Sequence, residues 1–132
     1  MGLVPITLVL AATLALADPA ARPAIVGRWT ATSANATGSS FEFEPADKVV
    51  WRTRGGPFSL AYRLDVGVTP WTLDLVGFAT GPLKGRTLYC IAEIARERLR
   101  LDCDPGAPSA EGARNRPAAF LTDETQEFER SR

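Results

Sequence analysis

Apolar and polar side chains alternate one by one along much of this chain. Phe41 and Phe43 are interleaved with Glu42 and Glu44. Val49, Trp51 and Thr53 share one face of a segment whose other face carries Val50, Arg52 and Arg54. Phe58, Leu60, Tyr62 and Leu64 continue the pattern, as do Trp71, Leu73 and Leu75. A period of two is the repeat of a strand with one buried face. Beyond residue 17 no helix-length run has an apolar period of 3.6. The pattern predicts strands over 26–33, 40–44, 48–54, 58–65, 71–76, 86–94, 98–103 and 125–130.

The breaks between these segments have the chemistry of turns. Pro45-Ala46-Asp47 separates the second strand from the third, and Arg54-Gly55-Gly56-Pro57 the third from the fourth. A break over 77–85 surrounds Pro82. Residues 104–124 form one long excursion that opens with the Gly-, Pro- and Ala-rich stretch 104–115, and a short extra strand is expected over 118–122. Eight short sequential strands predict an all-β, up-and-down antiparallel barrel, which closes on itself and so leaves no exposed edge.

One hairpin fixes its own register. With Arg96-Glu97 at the tip, facing residues have numbers that sum to 193. Ile94 then faces Leu99, Ala92 faces Leu101 and Cys90 faces Cys103, all on one side. The other side pairs Glu93 with Arg100 and Ile91 with Asp102. The register that buries the two leucines therefore also brings two sulfurs together. The choice left open is between a disulfide and two buried thiols acting as small hydrophobes.

The first twenty residues, MGLVPITLVLAATLALADPA, carry an apolar run ending in Ala15-Leu16-Ala17. This small-x-small ending reads as a signal peptide over 1–17, followed by a linker over 18–24 and one barrel domain over 25–132. The run is shorter than the ~20 residues that span a bilayer, so an uncleaved anchor is the lesser reading. Export to the periplasm or the exterior would place the cysteine pair in an oxidising compartment. Asn35-Ala36-Thr37 is a glycosylation sequon, but the Arg, Ala and Pro bias is bacterial, so it reads as a polar turn.

Composition narrows the chemistry. Fifteen Lys and Arg balance fifteen Asp and Glu, against the basic excess of a nucleic-acid binder. There is no His, so no Ser-His-Asp set can form and the commonest metal ligand is missing. The expectation is no catalytic set, no metal and no cofactor. Asp74 and Asp102 alternate with apolar neighbours and should point outward into water. Gly81-Pro82-Leu83-Lys84-Gly85-Arg86-Thr87 lacks phosphate-loop spacing and serves as a turn. Trp51, Tyr62 and Trp71 lie on inward faces and are the candidate ligand cavity, unless they simply fill the barrel.

Gly27-Arg28-Trp29 resembles the Gly-x-Trp entry of lipocalin-like barrels. In those barrels the Trp closes the floor and an Arg of the last strand lies over it. The resemblance thus assigns Gly27, Trp29 and Arg130 to a structural floor. Further along stand Tyr62-Arg63-Leu64-Asp65, Thr69-Pro70, Leu73-Asp74-Leu75, Gly81–Thr87, Leu99-Arg100-Leu101-Asp102-Cys103, Arg116-Pro117-Ala118-Ala119-Phe120 and Glu129-Arg130. In this order they resemble a family of exported bacterial lipocalin-like domains that has no established activity. Cys90 and Ala92 depart from the Gly and Tyr usual there.

The resulting expectation is a non-enzymatic exported binding module. Its partner is a small apolar ligand or an envelope protein, with no nucleic acid and no stable membrane anchor. The alternative is an enzyme inhibitor or small enzyme acting through the 104–124 loop, whose motif residues are Arg116, Pro117 and Phe120. The competing structural role makes Phe120 a barrel plug and Arg116 a clamp on a carbonyl or carboxylate.

Overall fold

The computed structural model describes residues 24–104, 116–121 and 123–131. Each alternating segment forms a strand: β1 Gly27–Ala31, β2 Ser40–Phe43, β3 Lys48–Thr53, β4 Gly56–Asp65, β5 Trp71–Val76, β6 Leu88–Ala95, β7 Arg98–Asp104 and β8 Gln126–Arg130. All eight pair antiparallel with their sequence neighbours, and β8 returns to β1, closing an up-and-down, lipocalin-like barrel.

The differences from the sequence pattern lie at ends and connections. β1 stops at Ala31, and a 3-10 turn over Ala34–Ala36 fills the first connection. Asn35 of the sequon donates its side-chain amide to the Thr125 carbonyl at 3.1 Å, so it ties this turn to the entry of β8. No strand forms over 118–121. The expected signal peptide, most of the linker and residues 105–115 of the long loop lie outside the described residues. Ile25, near the start of the described residues, is fully buried.

The inward set is the one the alternation marks. Trp29, Phe41, Phe43, Val49, Leu73, Leu75, Leu99, Leu101 and Phe128 are essentially inaccessible. Aromatic rings occupy the half of the interior between β1, β2, β3 and β4. Phe41 stacks on Trp51 at 5.4 Å, Phe43 meets Tyr62 edge-on at 5.1 Å, and Phe78 caps Trp51 and Phe58. Such offset and edge contacts favour one interior arrangement over many.

The β6–β7 register is Cys90↔Cys103, Ala92↔Leu101 and Ile94↔Leu99, as the sum of 193 requires. Cys90 and Cys103 form a disulfide across facing strands with Cα atoms 4.0 Å apart. That pairing suits an oxidising compartment.

The base of the barrel is built around Trp29 and Arg130. The guanidinium lies 4.1 Å above the indole centroid and donates to the carbonyls of Val26 at 2.9 Å and Ala24 at 2.7 Å. Its Nε meets Glu97 Oε2 at 3.0 Å. Trp29 Nε1 donates to the Ile25 carbonyl at 2.8 Å. Gly27 has φ +129°, and a Cβ there would stand 2.8 Å from Arg130 Nη1. Glycine is required by both the backbone and the close approach.

Candidate binding cleft

The segment 116–121 lies against the outer face of β5, β6 and β7. Arg116 anchors it. Its guanidinium donates to the Cys90 carbonyl at 2.8 Å and to Asp74 Oδ1 at 2.5 Å, and sits 5.2 Å from the Tyr89 ring centroid. Asp102 provides the second anchor. Its Oδ2 accepts the Leu121 N–H at 3.0 Å and the Thr125 hydroxyl at 3.2 Å. The third anchor is the Phe120 ring beneath the Arg100 guanidinium, 4.2 Å from centroid to carbon.

This strap revises two expectations. Asp74 and Asp102 do point away from the interior, but the strap covers Asp74 in part and Asp102 almost wholly. Asp102 is 1% exposed and Ile91 beside it is also buried. Alternation fixes which face of a strand a side chain takes, while the returning chain decides whether that face stays wet. Phe120 is not a barrel plug, because Arg100, whose guanidinium lies over its ring, belongs to the outer face. Arg116 bonds both a carbonyl and a carboxylate. Oδ1 of Asp102 has no partner among the described residues. Its Oδ2 bonds show a buried carboxylate used to fix backbone position.

A cleft of about 400 Å³ opens where the strap passes the start of β5. It is lined by Thr69, Pro70 and Trp71, by Ala92, Glu93 and Ile94 of β6, and by Ala118, Ala119 and Phe120 of the strap. The lining's one carboxylate, Glu93, takes both Nε and Nη2 of Arg100 on Oε1, at 3.0 and 2.6 Å. The wall is therefore close to neutral. Val68 and Leu121, the exposed large apolar side chains of the described residues at 43% and 54%, each follow or precede a lining residue in the chain.

The three candidate cavity residues part company. Trp51 is stacked within the aromatic interior and donates Nε1 to Ser39 Oγ at 3.2 Å. Tyr62 is buried against Phe43 and donates its hydroxyl to the Glu44 carbonyl at 3.0 Å. Trp71 alone of the three lines the cleft. Sequence reading missed Ile94 and Ala119 as lining residues, since the cleft joins segments far apart in the chain. Its one legible signal was Thr69-Pro70, a turn placed just before a strand shorter than its neighbour.

Away from the cleft, part of the charged surface is paired. Glu42 accepts from Arg28 and Arg52, both at 3.2 Å. The bond from Arg28, then that from Arg52, holds its carboxyl below the usual carboxylate range. No protein-family model, curated protein or solved structure matches the chain.

Proposed function

We propose that this protein is an exported, non-enzymatic binding module that takes a small apolar ligand in the cleft between β5, β6 and the strap. The observation that carries this reading is the cleft itself. An open apolar recess of about 400 Å³, walled by Trp71, Ile94 and Phe120, is of ligand-holding size. The exposed Val68 adds an apolar side chain immediately before the lining residue Thr69. The aromatic interior already holds Trp51 and Tyr62, so the recess at the barrel's side is the better seat. The disulfide and the apolar leader of the sequence support export. The resemblance to exported lipocalin-like domains, carried by Gly27, Trp29, Arg130 and the 116–120 motif, agrees with export and a barrel fold and assigns no activity.

The test is a thermal-shift and tryptophan-fluorescence titration with neutral apolar probes: naphthalene, indole and capped apolar peptides. A ligand that binds only the folded chain stabilises it by about 1.4 kcal/mol at ten times its Kd. The expected result is a raised Tm and a changed Trp71 emission, both lost in Ala119→Trp, which fills the recess. No shift with any probe class would refute the reading.

A further inference from the structure

The backbone around the cleft specifies more than apolarity. The β5–β6 ladder ends at Trp71↔Ala92, yet β6 continues to Ala95. In an antiparallel ladder, successive residues turn their N–H and C=O to opposite neighbours. The Cα separation of 4.0 Å marks Cys90 and Cys103 as a close, non-hydrogen-bonded pair. Cys90, Ala92 and Ile94 therefore direct their backbone groups away from β7 and toward β5. The far side of β7 gives the same parity. The Arg130 N–H bonds the Glu97 carbonyl at 2.9 Å, so Glu97 and Leu99 direct their groups to β8 and not to β6.

Cys90 meets Leu73 and Ala92 meets Trp71. The next place on β5 would be position 69, but that strand begins at Trp71 and the chain has left the ladder at Thr69-Pro70. The N–H and C=O of Ile94 are thus aimed into the recess beyond the end of the ladder. One donor and one acceptor on the same residue are matched by one –NH–CHR–CO– unit, which is a residue of extended peptide. The apolar lining residues Trp71, Ala119 and Phe120 suit an apolar side chain on that unit. Glu93, held by Arg100, gives no strong preference for a charged ligand.

We propose that the ligand is a short, uncharged, apolar peptide segment, which binds as an added strand on the edge of β6 at Ile94 that β5 leaves uncovered among the described residues. This rests on the reading of the cleft as a binding site and names its ligand class. The probe is the N-acetylated, C-amidated tripeptide Val-Leu-Val, compared with the same tripeptide methylated at every backbone nitrogen and with naphthalene. Binding is followed by amide NMR and hydrogen exchange on the full chain.

The expected result has three parts. The tripeptide shifts the Ile94 amide resonance and slows its exchange, backbone methylation weakens binding at least tenfold, and Ala119→Trp abolishes it. Equal binding of the methylated peptide, or an Ile94 amide whose exchange is unchanged in the complex, overturns the added strand. If naphthalene binds and the tripeptide does not, the peptide inference fails while the apolar binding site stands. If neither binds, both fail.

Discussion

Arg116→Ala removes the main anchor of the strap and so tests the account of the outer face. Two bonds are lost, to the Cys90 carbonyl and to Asp74, together with the contact over Tyr89. A hydrogen bond to a charged group contributes about 1.5–3 kcal/mol. Neither partner is stranded by the change. Asp74 keeps Arg63 at 3.5 Å, and the Cys90 position keeps its ladder pairing with Leu73. The Arg116 and Asp74 side chains are also partly open to water, which screens their pairing. The expected loss is therefore about 2–3 kcal/mol, short of the ~5–15 kcal/mol that holds a typical domain together. The variant should fold and melt roughly 8–24 °C lower, at about 4–8 °C per kcal/mol for a domain near this size. Arg116→Lys should recover less than half of the loss, because an ammonium does not reproduce the planar fork that reaches both acceptors. Urea and thermal unfolding measure the magnitude. Hydrogen exchange should show the Leu121 amide opening while the Leu99 and Leu101 amides stay protected. A loss under 0.5 kcal/mol, or a chain that no longer folds, would refute the anchoring argument.

Three further outcomes follow from the same geometry. Gly27→Ala should destabilise by about 1–3 kcal/mol, since a side chain is forced into φ +129° and against Arg130; chemical denaturation reads this, and Arg130→Ala should relieve part of it. Reducing the Cys90–Cys103 bond should lower stability by roughly 2–3 kcal/mol, measured by unfolding with and without reductant, while mass analysis of the native protein shows no alkylated thiol. Glu42, with its pKa lowered by Arg28 and Arg52, contributes stability that is present above the usual carboxylate range and is lost as the pH falls through the lowered value. In the Arg28→Ala, Arg52→Ala double variant its NMR titration should move up toward the ordinary carboxylate value, and an unmoved titration would disprove the pairing.

Several features were legible in the residues alone. Alternation at Phe41/Phe43, Phe58–Leu64 and Trp71–Leu75 marks inward faces because successive strand residues point to opposite sides whatever the rest of the chain does. The Cys90–Cys103 pairing followed from a hairpin tip and a register, since two strands joined by a tight turn have one offset that buries Leu99 and Leu101 together. Gly27, Trp29 and Arg130 could be named in advance only through the resemblance to lipocalin-like barrels, in which an Arg of the last strand lies over the Trp of the first.

The outer face belongs to another class of information. Nothing in the period of Asp102 or Asp74 tells whether water or another segment covers it, because alternation encodes a side and not an occupant. The tertiary structure decided that 116–121 lies there, with Arg116 and Asp102 holding it, and so buried Asp102 and partly covered Asp74, two carboxylates that local pattern assigns to solvent. The cleft arises in the same way. It exists because β6 outruns β5 at Ile94 and because the strap crosses near that gap. Strand length is set by each segment's own turns, whereas a mismatch between neighbours takes shape when they are laid side by side. The sequence by itself determined the barrel and its interior, and the packing of distant segments determined where a ligand can reach it.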